Sequence, residues 1–538
     1  GFRARDERGK RFLTIPKNKF TLVIRTLNEA GWIVEAEGKL YRSNGMINIA
    51  VQSGIDWFEV HGAATFGGVS AELPQILMAL REGRGAVLLD DGTYGVLPEE
   101  WLKKYGMISQ LGEPDDGHFR FQRSQTGLLD MLLMAQPEIT FDKGFRQARQ
   151  QLQKFQSIKP AQAPRTFAGT LRQYQKEGLG WMQFLQKFQL VGCLADDMGL
   201  GKTVQVLALL ESRRRLRQKA EKAATEQGGN GKEEQLPEQI PPSLVVVPKS
   251  LIFNWIAEAA KFAPNLRVLN NTGLTRRGIT LETFGQYDVI LTTYGTLRND
   301  VPTLKDFRFD YLILDEAQAI KNASTASAKA VRLLQGNHKL AMSGTPIENH
   351  VGELWSLFEF LNPGMLGGSS FFQTIGADAK PDDQSRKMLA HALRPFILRR
   401  TKEQVAPELP AKTEQTIYCE LEPIQRKLYN DLREHYRATL LGLVEDKGLN
   451  RSKIQILEAL LRLRQLACHP GLIDKTKLKQ GSAKLDTLIP QIVEVVEEGH
   501  KVLVFSQFTS FLAIVKNRLD AKGLNYEYLD GKTTNRQE

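Results

Sequence analysis

The sequence predicts an α/β protein in three parts: a small α+β domain, a parallel sheet covered by helices on both faces, and the start of a second α/β unit. Three observations carry this. Short apolar runs at 190–195, 244–247, 289–292, 311–314 and 339–342 alternate with helical stretches, and uninterrupted apolar runs indicate strands buried on both faces. The first ~150 residues instead mix hairpin signals with amphipathic segments. A chain of 538 residues also exceeds what a single core supports.

Taken in order, residues 1–156 form the first domain. Residues 20–30 have the periodicity of a short amphipathic helix, and 57–63 and 85–89 read as strands. Asp91-Gly92, between 86–89 and 94–97, is a hairpin signal. Leu97-Pro98-Glu99-Glu100 resembles a helix start with Pro in its first turn. No catalytic constellation is visible there. Residues 157–165 read as a linker. The sheet occupies 166–412, interrupted at 213–242 by a polar insertion with little to bury. Its basic cluster (Arg213, Arg214, Arg215, Arg217, Lys219, Lys222) either touches phosphates or is a solvated helix end. Helices are expected at 353–361, 385–393, 422–441 and 454–467. Within 413–538 a strand at 501–506, a helix at 510–522 and a strand at 526–529 open the second unit. The chain starts at Gly1 rather than Met and stops two strands into that unit, so it is expected to be a piece of something longer.

Composition narrows the classes. Hydrophobic residues make up 42% and charged residues 25%, as in ordinary globular proteins. No apolar run approaches the ~18 residues of a membrane span, and no signal peptide is legible. The three cysteines, Cys193, Cys419 and Cys468, form no CxxC pair, which argues against a disulfide framework. Cys468-His469 alone lacks the ligands of a structural zinc site. A net charge of +11 favours a polyanionic partner.

The sharpest signal is Asp196, Asp197, Met198, Gly199, Leu200, Gly201, Lys202 and Thr203 (DDMGLGKT), set between a strand and a helix. Its glycines let backbone N–H groups approach phosphates, and the helix N-terminus adds favourable partial charge. Lys202 is placed for the β- and γ-phosphates of ATP and Thr203 for Mg²⁺. Asp196 stands where such loops usually begin with Gly. Asp315 and Glu316 follow the strand 311–314. Asp315 is placed to hold Mg²⁺, and Glu316 to orient and deprotonate an attacking water.

Around these motifs the chain resembles the Swi/Snf family of double-stranded DNA translocases, in helicase superfamily two. LRQYQKEGLGW (171–181) resembles its adenine-reading motif, which makes Gln175 the base contact. LVVVPKSLIFNW (244–255) and TTYGTL (292–297) are similar to its DNA-contacting motifs. DEAQ (315–318) resembles the second ATPase motif, with Gln318 standing where many relatives have His. MSGTPIEN (342–349) resembles the coupling motif, with Ser343, Gly344 and Thr345 as the relay beside the strand bearing Asp315. LWSLFEFLNPGMLG (354–367), RPFILRRTK (394–402) and LRQLACHP (463–470) are similar to segments particular to the family. KVLVFSQFT (501–509) and LDGKTTNRQ (529–537) resemble the opening motifs of its second lobe.

The resemblance implies a RecA-like ATPase lobe with helical insertions at 166–412. It implies a helical protrusion and truncated second RecA-like lobe at 413–538, and a bacterial-type helicase-associated domain at 1–156. The implied activity is ATP- and Mg²⁺-dependent translocation on double-stranded DNA, with ATP between the lobes and a DNA-bound protein complex, such as a polymerase, as the object remodelled. Lys249, Ser250, Thr293, Arg399, Arg400 and Lys402 are the expected phosphate donors, giving sequence-independent, salt-sensitive binding. The family's last motifs, with their arginine fingers, fall beyond Glu538, so residues 1–538 are expected to bind ATP but hydrolyse it weakly; such a finger is worth about 10³–10⁵ in rate. The expected location is a bacterial cytoplasm and nucleoid, or a eukaryotic nucleus, with no membrane partner. A strand-separating helicase and a nucleotide-gated DNA-binding module remain as alternatives.

Overall fold

The computed structural model describes residues 3–533 apart from 8–9, 16–18, 37, 55–56, 99–100, 102–104, 106–107, 110, 134–138, 154–157, 228–239, 274, 345–350, 368–389, 391–392, 411, 450 and 532. The helix start at 97–100, most of the helix at 385–393, and Thr345 therefore lie wholly or partly outside the described residues. The chain divides into two compact units, residues 1–410 and 411–538.

The first unit opens with an antiparallel pair, β1 (Arg3–Glu7) and β2 (Lys10–Thr14). Strands β3 (Val34–Ala36), β4 (Lys39–Arg42), β5 (Asn44–Ser53), β6 (Trp57–Phe66), β7 (Val69–Glu72), β8 (Ala86–Leu88), β9 (Tyr94–Val96), β10 (Glu113–Asp115), β11 (His118–Gln122) and β12 (Ile139–Phe141) follow. They form a four-stranded sheet ordered β3-β4-β9-β8 and a six-stranded one ordered β10-β11-β6-β5-β12, with β7 also on β6. The hairpin expected at Asp91-Gly92 joins β8 to β9. Gly92 sits at φ +80°, and Asp91 Oδ1 accepts the Thr93 N–H at 3.0 Å. The alternation in β6 sends Phe58, Val60, Ala64 and Phe66 inward. Their core continues into Leu354, Phe358, Leu366 and Phe396, so this layer shares its interior with the next part of the unit.

The expected linker packs rather than swings: Ala161 N–H donates to Lys176 O at 2.9 Å on the helix Gln173–Lys187. Gly180 permits this contact, because a Cβ there would lie 2.2 Å from Lys159 O.

Strands β13 (Gly192–Leu194), β14 (Ser243–Val247), β15 (Val268–Asn270), β16 (Val289–Thr293), β17 (Arg308–Leu314), β18 (Gln335–Met342) and β19 (Ile397–Leu398) form one parallel sheet ordered β15-β16-β14-β17-β18-β13-β19. All five expected strands are present. Successive residues feed opposite cores: Val245, Val247 and Ile313 pack on one face, and Leu244, Val246 and Leu312 on the other. Short β15 and β19 carry too little periodicity to be read from sequence. The insertion expected from 213 departs from its reading at its start, because the helix Lys202–Gln227 runs through it. Arg213 pairs with Asp310 at 2.6 Å, Arg214 with Glu211 at 2.6 Å and Arg217 with Glu221 at 3.0 Å. These arginines hold the helix to the sheet and to itself.

In the second unit the expected helices appear as Pro423–Lys447, Lys453–Cys468 and Thr509–Ala521, together with Ala483–Glu497. Gln425 ties them: its Nε2 donates to Leu466 O at 2.9 Å and its Oε1 accepts Ala483 N–H at 3.2 Å. Segments 501–506 and 526–529, expected as strands, join no ladder among the described residues. Extended chain becomes a strand only with a hydrogen-bonded neighbour, and without one Leu503 and Phe505 stay 83% and 87% exposed.

Candidate active site

Strand order places the chemistry. Adjacent β17, β18 and β13 end on one edge of the sheet, so Asp315, Ser343 and the loop 196–203 emerge side by side. The ends of β13 and β18 stay joined at this edge, where Ser343 N–H donates to Leu194 O at 3.2 Å.

The loop has the backbone its sequence implied. Gly199 and Gly201 take φ +88° and +70°, which side chains with a Cβ rarely adopt. The helix then starts at Lys202, and its first-turn N–H groups lack intrahelical acceptors. Lys202 Nζ arches over its own loop, donating to Asp196 O at 2.7 Å and Asp197 O at 3.4 Å. Gln175 touches the same loop: its Nε2 donates to Leu200 O at 3.3 Å, and its Oε1 caps its own helix by accepting Arg172 N–H at 2.9 Å.

The acidic side is assembled from three elements. Asp315 is 6% exposed; its Oδ2 accepts Trp255 Nε1–H at 2.8 Å and its Oδ1 accepts Glu316 N–H at 2.9 Å. Burial pushes the Asp315 carboxyl above the usual range, against the Trp255 hydrogen bond and the nearby Lys202 charge. Glu316 sits at φ +48°, a left-handed conformation that strains a non-glycine residue by about 1–3 kcal/mol. Gln318 bridges it to Ser343: Nε2 donates to Glu316 Oε2 at 2.6 Å, and Oε1 accepts Ser343 Oγ–H at 3.2 Å.

Two contributions escaped the sequence reading, which had Trp255 only as the end of the DNA-contacting motif at 244–255. The helix Ile252–Phe262 delivers Trp255 to Asp315 and, one turn on, brings Glu258 up beside Thr203. Burial raises the Glu258 carboxyl, with Asp315 adding like charge, and Glu258 Oε2 is buried without a hydrogen-bond partner. The W-x-x-E spacing after β14 was the available signal, since i and i+3 share a helix face. Hard oxygen donors from Thr203, Asp315 and Glu258, two of them carboxylates made costly by burial, suit Mg²⁺.

The expected DNA contacts divide. Lys249 and Ser250 are exposed just past β14, and Arg399 is exposed just past β19. Thr293 is turned to another task, since its Oγ1 caps the helix Tyr294–Leu304 by accepting Thr296 N–H at 3.0 Å. Arg400 faces the interior instead. It is 8% exposed, its Nε donates to Asp196 Oδ1 at 2.9 Å, and its guanidinium also bonds Asp196 Oδ2, Gln205 Oε1 and Tyr174 O. Packing β19 against β13 turns it inward, so Asp196 and Arg400 together brace the loop from behind. Lys402 lies over the loop: a Cβ on Gly199 would be 3.5 Å from its Nζ.

His469 is buried and commits both ring nitrogens to the backbone. Nε2 faces Gln480 O at 2.9 Å, and Nδ1 accepts Gly471 N–H at 2.9 Å. That leaves it no nitrogen for a metal beside Cys468.

The model of the SNF2-related domain matches residues 174–472, more than half of the chain. The chain belongs to the SNF2 family. Among curated SNF2 relatives, an uncharacterized ATP-dependent helicase of Mycoplasma pneumoniae is 37% identical over 68% of this chain and 32% of its own length. A putative ATP-dependent helicase/translocase of Bacillus subtilis, YwqA, is 33% identical over 80% of this chain and 45% of its own length. The chain thus spans less than half of either relative. A solved SWI2/SNF2 ATPase core of Sulfolobus solfataricus in complex with dsDNA is 35% identical, with a TM-score of 0.41, over 68% of this chain and 72% of that one. No helix among the described residues is long and apolar enough to cross a membrane.

Proposed function

We propose that this SNF2 chain binds ATP with Mg²⁺ at the C-terminal edge of its seven-stranded sheet and drives translocation on double-stranded DNA, remodelling DNA-bound protein complexes. One observation carries the reading: Lys202, Thr203, Asp315 and Glu316 meet on one sheet edge, and Gln318 links Glu316 to Ser343.

In this reading Lys202 leaves the loop carbonyls for the β- and γ-phosphates. The N–H groups of the loop and the first helical turn cradle the same oxygens. Thr203 and Asp315 hold Mg²⁺, which supplies charge neutralisation across the phosphates. Trp255 fixes the Asp315 carboxylate, and Glu316 takes the proton of the attacking water. A shift of Glu316 is felt at Ser343 through Gln318, which gives the coupling motif a physical path to the DNA side. Lys249, Ser250 and Arg399 are the phosphate donors retained from the expected set, the contact being to the backbone and independent of sequence. Residues 1–156, 166–412 and 413–538 are assigned as associated domain, first lobe, and protrusion with second lobe.

A titration of the chain with a fluorescent ATP analogue and Mg²⁺ tests this. K202A is expected to weaken binding about 10- to 100-fold, the worth of a charge-assisted hydrogen bond. Unchanged affinity in K202A, in a protein of unchanged Tm, sinks the proposal.

A further inference from the structure

The outer face of the first domain carries a second constellation. In β6 and β11 one set of alternate residues, Phe58, Val60, Phe119 and Phe121, is buried in the core. Strand pleating therefore puts Glu59, His61 and His118 together on the opposite face. The register Phe119↔Val60 sets His118 across from His61, and the β10–β11 register sets Asp115 across from His118.

The geometry is that of a ligand set. His61 Nε2 lies 3.2 Å from Glu59 Oε2, and His118 Nε2 lies 3.9 Å from Glu59 Oε1. One ligand atom from each of the three lies within 4.8 Å of the others. An ion bound tetrahedrally at about 2.0–2.1 Å holds its ligand atoms roughly 3.3–3.4 Å apart, so small ring rotations close the site. The orientation of His118 is the deciding observation. Its Nδ1 faces Asp116 O at 2.9 Å, which makes Nδ1 the protonated nitrogen and leaves the Nε2 lone pair aimed inward. That Nε2 is buried and has no hydrogen-bond partner. Glu59 is likewise held by an outer partner, Trp57 Nε1–H at 2.8 Å on Oε1. A plain hydrogen-bond network accounts for His61 and Glu59 but leaves His118 Nε2 orphaned, which a buried nitrogen does not tolerate without cost.

We propose that Glu59, His61 and His118 bind a divalent transition-metal ion of the zinc class, with water or Asp115 at the fourth position. Two imidazoles and one carboxylate select Zn²⁺ and its analogue Co²⁺ over Mg²⁺ or Ca²⁺, which prefer all-oxygen sites. Asp115 Oδ2 is 3.7 Å from His118 Nε2 and shares its charge with Arg120. The ion clips β11 to β6. Just past β11, Gln125 Nε2 donates to Met365 O at 3.1 Å, so the clip steadies the point where the first domain grips the sheet-bearing part of its own unit.

The test uses the whole chain, stripped with a chelator and loaded with Zn²⁺ or Co²⁺. Wild type is expected to retain one equivalent of Zn²⁺ through gel filtration and to show Co²⁺ d–d bands with no thiolate charge-transfer band. E59Q and H118Q are expected to lose that equivalent, and W57F, which removes the N–H donor to Glu59 while keeping an aromatic ring beneath Arg120, to bind about 10- to 100-fold more weakly. H61Q decides if H118Q does not fold. Wild type without a stoichiometric metal, a thiolate signature in the Co²⁺ spectrum, or full retention by E59Q overturns the proposal.

Discussion

Replacing Arg400 by methionine separates two accounts of the RRTK segment, one in which Arg400 grips DNA and one in which it braces the nucleotide loop. In the structure its partner Asp196 is fully buried, and Arg400 has a side-chain exposure of 10%. R400M removes the guanidinium and strands the Asp196 carboxylate in the interior. Breaking such a pair from one side costs about 3–5 kcal/mol. Melting entropy near 2.1 cal/mol/K per residue over the 410 residues of the first unit makes each kcal/mol worth a little over 1 °C. The expected fall in Tm is therefore about 4–6 °C. D196N should fall comparably, because it strands the arginine instead. D196N/R400M, which leaves neither charge, should recover at least ~1 kcal/mol relative to the sum of the single changes. Duplex affinity measured against salt supplies the contrast. R399A should flatten the slope of log K by about 0.9 for each phosphate the variant no longer neutralises, and R400M should leave it alone. An R400M protein that melts like wild type and loses slope as R399A does would refute the bracing account.

Three further outcomes follow from the same geometry. K402A should weaken Mg²⁺–nucleotide binding about two- to fivefold, the worth of an exposed charge, while leaving the DNA salt slope intact; a change confined to DNA binding would return Lys402 to the DNA side. E258Q should raise the Mg²⁺ half-saturation for nucleotide binding about tenfold and leave nucleotide affinity without Mg²⁺ unchanged; equal losses with and without Mg²⁺ would count against a role toward the ion. Burial holds the His469 imidazole below its ordinary 6.5. The folded state therefore binds fewer protons than the unfolded one, so this contribution to stability is complete above about pH 6.5 and lost as pH falls through the depressed folded value. Hydrogen exchange across 469–480 should accelerate at about pH 5, after correction for intrinsic rates, and H469Q should flatten that dependence; equal protection at both pH values would contradict it.

Much of this was legible because its cause is local. A strand buried on both faces must be apolar throughout, so β14, β16 and β17 announced themselves. A phosphate loop needs glycines and a lysine at fixed spacing, so residues 196–203 did too. What stayed hidden depends on neighbours far along the chain. Nothing in RRTK distinguishes Arg399 from Arg400; only the pairing of β19 with β13 turns one outward and the other onto Asp196. Residues 501–506 have a strand pattern, yet pattern alone does not provide the partner that makes a ladder.

Glu316 shows the same limit at the centre of the site. By sequence it opens an acid-rich turn, where an ordinary helix start asks for no strain. The structure instead holds it at φ +48°, with its N–H given to Asp315 Oδ1 at 2.9 Å and its carboxylate taking the Gln318 amide at 2.6 Å. Together they fix the Asp315 carboxylate and aim Glu316 toward Ser343 through one amide. About 1–3 kcal/mol of strain is a modest sum against two hydrogen bonds to ionised groups, each worth about 1.5–3 kcal/mol. The conformation is therefore tied to both bonds, and any change that frees Gln318 should let Glu316 relax.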